Sequence, residues 1–384
     1  PSVGRKMNLP ELQNDAALRQ REFPVCAEKV YLAHAGVSPV PSCVTRAVAK
    51  VAESAALNDQ EEGLGELLRT TRTRAAELLG ADVGEVALIG PTTAGLSAVA
   101  TGLDWQSGDE ILVYRDCFPV NVYPWQSLES RGVKINWLKT PALGQITPEG
   151  VIDQLTDKTR LVALASCHFI SGWRIDHDTI GRELRERNIL FCLDAIQTLG
   201  AFPTKVEHVD FLAADAHKWL LGPCAAGVFY VRRELQDRLA PPAFGWNNVR
   251  CPNYVAQEEM KLRSDARRYE AGSFNILGIA GLNAALELLL EVGVDNIAED
   301  LSAKHSWLME VLQEKDYEVF HPATTSGITS CWRGGQDMKA LGEKLAKENI
   351  IVSIRGDRRG QYYLRFSPHF YNTRAELERV LSLL

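Results

Sequence analysis

Lys218 sits in "AADAHKWLLGP" (residues 213–223), where its neighbours are mostly apolar or small. An ammonium buried in such a run is destabilising unless it is paired, deprotonated or chemically converted. Asp194 closes the apolar run "NILFCLD" (188–194) and is followed by Ala195, Ile196 and Gln197. Alone, Asp194 reads as a helix N-cap at a strand-to-helix turn. Placed on neighbouring strand ends, the lysine and the aspartate form either a plain ion pair or the two anchors of pyridoxal 5′-phosphate. In the second case the amine makes a Schiff base with the aldehyde, and the carboxylate keeps the pyridine nitrogen protonated so that the ring draws in electrons. The cofactor's phosphate also needs donors. "GPTTAGLSAV" (90–99) sets Thr92, Thr93 and Gly95 after an apolar run and at the start of a helical pattern, where free N–H groups favour an anion.

The elements that must hold these groups are short and apolar. "EVALIG" (85–90), "DEILVY" (109–114), "KINWLK" (134–139), "RLVALAS" (160–166), "NILFCLD" (188–194), "DFLAAD" (210–215) and "GVFYVR" (227–232) alternate with helical patterns. Near-continuous apolar runs are what strands covered on both faces look like, so they predict an α/β domain with a mostly parallel sheet. In such sheets functional groups collect at the carboxyl ends of strands, and "LIGPTTAG", "CLDAIQ" and "AADAHK" fall there. A loop-rich stretch (240–275) and a long apolar helix (276–293) follow. Beyond them, "GITSCWR", "IVSIRG" and "YYLRFS" alternate with amphipathic helices, as in a smaller α+β domain. The expected division is an N-terminal segment packing near the small domain (1–26), a large domain (27–290) and a small one (291–384).

Composition narrows the partners. The chain has 384 residues, 46% hydrophobic and 24% charged, with a formal net charge of -7. With no long Lys/Arg block, there is no electrostatic case for nucleic acid or an anionic membrane. The longest apolar runs fall well short of the roughly 20 residues that span a bilayer, and the polar N-terminus lacks a secretory core. Residues 1–6 read as a processing remnant ahead of Met7. The eight cysteines show no CxxC spacing, so they are expected to be reduced, in a cytoplasmic protein, with no metal site.

Taken in order, "YLAHAGVSPVP" (31–41), "PTTAG" (91–95), "CFPVNVYPWQ" (117–126), "LDAIQTLG" (193–200), "ADAHKWLLGP" (214–223), "RYEAGSFN" (268–275) and "LRFSPHFYNT" (364–373) resemble the class V aminotransferase family. That family includes cysteine desulfurases, cystine lyases, isopenicillin N epimerases and kynureninases. The resemblance implies a fold-type-I pyridoxal-phosphate enzyme: a mixed, mostly parallel seven-stranded sheet flanked by helices, a smaller C-terminal α+β domain, and a homodimer with active sites at the interface. It also implies roles. Lys218 carries the cofactor, Asp194 meets the pyridine nitrogen, Gln197 the phenolic oxygen, and Thr93, Ala94 and Gly95 the phosphate. His217 adjoins the cofactor, and Ser273 reaches the phosphate of the neighbouring subunit. Arg365 clamps the substrate carboxylate, with Arg355, Gly36, His34 and His168 beside the substrate.

Two departures bear on the reaction. "DCFPVN" has Phe118 where desulfurases place a stacking histidine, so an aromatic ring covers the cofactor without offering a proton. The loop "SIRGDRRGQYYLRF" (353–366) has Asp357 and Arg358 but no cysteine to accept sulfur as a persulfide. Asp215 also stands where the family has a phosphate-donating serine, and an ionised carboxylate donates nothing. The expected activity is carbon–sulfur lyase chemistry by α,β-elimination on an amino acid, without a persulfide cysteine. Transamination and epimerisation remain alternatives, and a non-catalytic cofactor-binding protein a more remote one.

Overall fold

The structure, a computed structural model, describes residues 7–384; the expectation for residues 1–6 lies outside it. After the short β1 (Val30–Tyr31), the chain lays down β2 (Val86–Ile89), β3 (Glu110–Val113), β4 (Lys134–Trp137), β5 (Thr159–Ala165), β6 (Leu190–Asp194), β7 (Phe211–Ala214) and β8 (Gly227–Val231). The last seven form one sheet in the order β2-β8-β7-β6-β5-β3-β4. Only β8 runs antiparallel to its two neighbours.

Side-chain alternation explains why the strand sequences are apolar throughout. Leu88, Val162, Phe191, Leu193 and Leu212 face one core. Their neighbours Ala87, Leu161, Leu190, Cys192 and Phe211 face another on the opposite side of the sheet. With both faces covered, neither set of alternate positions can be polar. On the first face, the helix Ile276–Val292 packs against the helices Ser42–Ala55 and Leu64–Leu79. No single helix among the described residues is long and apolar enough to cross a membrane.

A second sheet, of β9 (Glu318–Val319), β10 (Thr329–Trp332), β12 (Ser353–Gly356) and β13 (Tyr362–Phe366), is antiparallel in the order β12-β13-β10-β9. β11 (Ile350–Ile351) instead pairs with β1. The chain near residue 30 is therefore stitched to the C-terminal part of the molecule, and Val30 and Leu32 join the core formed by Leu308, Leu345, Ile350 and Phe366. The same stitch continues at Ala33, which bridges to Ser367. It lays residues 33–37 along the carboxyl ends of the large sheet's strands, between its loops and β12–β13.

Candidate active site

Asp194 ends β6 and pairs in register with Ala213 on β7. Five residues beyond Ala213, Lys218 turns back toward it. The lysine loop is held from three directions. Ser38 donates its N–H to His217 O and its hydroxyl to Lys218 O, both at 2.7 Å. Leu221 closes a turn onto Lys218 O at φ 58°, a left-handed conformation that strains a residue with a Cβ. Asp215 does most of the anchoring. Its Oδ1 accepts from the N–H groups of Ala216 (2.8 Å) and Ala226 (3.2 Å), and its Oδ2 from Ala225 (3.1 Å) and from His217 Nδ1 (2.8 Å).

A cleft of about 420 Å³ opens over these strand ends, a size that suits a cofactor with a small substrate. Its lining includes Thr92, Thr93, Phe118, Gln197, Asp215, His217 and Lys218, together with Gly36, Phe169, Ser353, Arg355 and Arg365. Lys218 Nζ lies 5.3 Å from the centroid of the Phe118 ring. Burial lowers the Lys218 pKa to about 8 even though Asp194 opposes the shift. Burial likewise raises the Asp194 carboxyl to about 6, while the Ile196 N–H (3.1 Å) and Lys218 pull it back. Gln197 is fixed between Ala35 O (3.1 Å) and Trp219 Nε1 (3.0 Å). Thr92 Oγ1 accepts from Asp215 N at 2.9 Å, which ties the start of the helix Thr92–Gly102 to the lysine loop and leaves Thr93 at the cleft.

Other expected residues lie elsewhere. His34 is fully buried, and both ring nitrogens are engaged, Nδ1 with Ser367 O (2.8 Å) and Nε2 with Tyr371 Oη (2.6 Å); it does not face the cleft. Burial lowers its pKa to about 3, so it is a neutral structural link. His168 is likewise tied to Ser171 Oγ (3.1 Å) and Asp116 O (2.9 Å), and its neighbour Phe169 takes the cleft position. Ala94, Gly95 and Ser273 line an adjoining cleft of about 260 Å³ rather than the one with Lys218. The Ala94 N–H is used by Pro91 O at 2.8 Å. Gly95 is needed for packing, since a Cβ there would stand 2.6 Å from Ala213 Cβ on β7. Sequence reasoning missed Ser38 and Ser353, because serines in loops and strands carry no spacing signal of their own.

Three features of the cleft fit an aromatic, anionic cofactor and a carboxylate substrate. Asp194 is a buried carboxylate that, among the described residues, accepts from Ile196 N–H and from no cation. Phe118 lines the cleft and leaves 45% of its surface open. Arg365 is buried with its Nε unpartnered among the described residues. Fold and site together define a pyridoxal-phosphate enzyme of fold type I. The chain belongs to the class-V aminotransferase family, whose profile matches residues 30–380.

It is 28% identical over 286 residues to a probable cysteine desulfurase of Methanothermobacter thermautotrophicus, covering 72% of this chain and 71% of that protein. Over 367 residues it is 27% identical to an uncharacterized aminotransferase of Bacillus subtilis, covering 94% of each. The apo cysteine desulfurase of Thermococcus onnurineus has the same fold, with a TM-score of 0.89, 23% identity, and coverage of 99% of this chain and 98% of that one. A cystine C–S lyase solved with cysteine persulfide also superposes, with a TM-score of 0.86, 22% identity, and coverage of 94% and 98%.

Proposed function

We propose that this enzyme is a carbon–sulfur lyase that eliminates a sulfur leaving group from the β-carbon of an amino acid. The observation that carries the reading is a cleft holding Lys218, Asp194 and Arg365 together with no cysteine along its wall. Cys117, next to Phe118, stays outside the lining, and burial raises its thiol to about 12, so it is not a thiolate acceptor. Similarity to a probable cysteine desulfurase supports sulfur amino-acid chemistry, and the missing thiolate favours direct release over persulfide transfer.

Pyridoxal phosphate, when bound, supplies the electron sink that makes the substrate's α-proton removable. Lys218 would hold the cofactor, and its amine, with a pKa of about 8, is suited to take this proton near neutral pH. Asp194, largely ionised above pH 6, would keep the ring nitrogen protonated. Phe118 would provide an apolar face for the ring, and Gln197 would meet its phenolic oxygen. Thr93 and His217 would serve the phosphate, with Asp215 fixing the His217 ring through Nδ1. Arg365, steadied by Phe169 O (2.5 Å) and Ser353 Oγ (3.3 Å), takes the α-carboxylate through its planar donor fork. Elimination from cysteine consumes water and gives pyruvate, sulfide and ammonia.

The protein acts as a homodimer. Phe244, Trp246, Tyr254, Val255, Met260 and Leu277 are exposed along the stretch that carries Ser273, and a second copy covers them, bringing Ser273 toward its partner's phosphate. All eight cysteines are unpaired in the structure, in keeping with a reducing, cytoplasmic setting.

The test is a panel of cysteine, cystine, cystathionine and selenocysteine scored for pyruvate, sulfide and keto acid. Pyruvate formed without an added acceptor supports the lyase. Keto acid that appears only with an amino acceptor shows a transaminase instead, and loss of chirality without product shows an epimerase.

A further inference from the structure

The Gln197 amide has an oxygen and a nitrogen to arrange, and only one arrangement suits its neighbours. Trp219 Nε1 is a donor only, so the group 3.0 Å from it is the amide oxygen. Ala35 O can only accept, so the group 3.1 Å from it is the amide nitrogen. Turning the amide over would set donor against donor at the indole and acceptor against acceptor at Ala35. In the arrangement observed, one Nε2 hydrogen has no partner among the described residues, and Gln197 lines the cleft.

Trp219 is itself held from the small-domain side. Its indole is fully buried and packs over Gly327, where a Cβ would collide with Cη2 of the ring. Its carbonyl accepts from His369 Nε2 at 3.1 Å. His369 Nδ1 accepts from Phe370 N at 2.9 Å, and burial holds the ring well below the ordinary histidine pKa, so its single hydrogen sits on Nε2 and points at Trp219 O. Ala35, the other partner of the amide, donates its own N–H to Ser367 Oγ at 3.1 Å. One C-terminal segment, residues 367–370, thus steadies both neighbours of Gln197.

We infer that Trp219 is a positioning residue: its indole N–H locks the Gln197 amide so that a free N–H, and not the oxygen, is presented to the phenolic oxygen of pyridoxal phosphate. The inference rests on the cofactor reading of the cleft and adds the group that orients this contact. An ionised phenolic oxygen only accepts, so a pre-oriented donor favours it and lowers the pH at which the bound cofactor gives up its proton. Without the indole N–H, the amide is free to turn over and bring its oxygen against that charge.

The pH midpoint of the bound cofactor's absorbance change tests this without turnover. Tyr31, Asp215, His217, Lys218, Arg355 and Arg365 along the cleft, and Asp194 at the end of β6, are the same in every variant, so differences in the midpoint report the amide. Gln197→Leu removes the donor and should raise the midpoint by about one unit. Trp219→Phe should raise it as well, and should add nothing once Gln197 is replaced by leucine, because it acts through that amide alone. If Gln197→Leu leaves the midpoint where it was, or if Trp219→Phe shifts it equally in both backgrounds, the inference falls while the cofactor site stands. A wild type that takes up no pyridoxal phosphate overturns the reading of the cleft as well. Where Trp219→Phe loses the native circular dichroism, the Trp219 indole N–H resonance of the cofactor-free protein decides: Gln197→Leu should move it and speed its exchange with solvent, and an unmoved resonance overturns the inference.

Discussion

Replacing Asp194 with asparagine should stabilise the protein when the cofactor is removed and weaken it when the cofactor is present. In the cofactor-free protein the carboxyl is fully buried, and its pKa is raised from 3.8 to about 6, chiefly by desolvation. Between those two values the folded state holds a proton that the unfolded chain has lost. Stability therefore falls as pH rises through that window and is level above it. The loss is roughly 3 kcal/mol at neutral pH, at 1.36 kcal/mol per pKa unit. Asparagine retains an oxygen to accept from Ile196 N–H, the 3.1 Å contact of the wild type, and carries no charge to desolvate. Asp194→Asn should thus gain about 2–3 kcal/mol at pH 8. At pH 5 only a little over half of that window has been crossed, so the gain should be about half as large, roughly 1.5 kcal/mol. Thermal unfolding of the cofactor-free wild type and variant at the two pH values reads the difference, a few degrees in Tm at pH 8. Adding pyridoxal phosphate should then raise the Tm of the wild type more than that of the variant. A variant no more stable than wild type at pH 8 without cofactor, or a gain that is the same at pH 5, would refute the assignment of Asp194 as a desolvated partner for a cationic ring.

Two further outcomes follow from the same loop. Cofactor uptake requires the neutral amine, so the rate at which the cofactor-free protein takes up pyridoxal phosphate should climb with pH and level off near 8, where an ordinary lysine would continue to 10 or beyond; stopped-flow absorbance measures the midpoint. Asp215→Ala releases three main-chain N–H groups and the His217 Nδ1 together. It should destabilise the fold by about 3–5 kcal/mol and loosen cofactor binding, with Asp215→Asn in between, as unfolding curves and dialysis against buffer will show.

What could be read from the residues alone was whatever is encoded locally. The seven strands of the large sheet were legible because burial on both faces leaves an apolar run with turn residues at its ends. Lys218 and Asp194 were legible because a charge at the end of such a run is out of keeping with its surroundings. Side-chain direction was not legible, since it depends on contacts distant in sequence. His34 turns inward because Ala33 bridges to Ser367 and Tyr371 waits for its Nε2. His168 is drawn into a turn with Ser171 and gives its place at the cleft to Phe169. Arg355 and Arg365 face the same space only because β12 and β13 pair in one register, and a shift of one residue would send Arg355 to the other face. The sequence determined which chemical groups were available and on which elements they lie. The long-range pairing of strands and loops decided which of them meet, because a side chain's direction follows from the partner of its backbone and not from its neighbours in the chain.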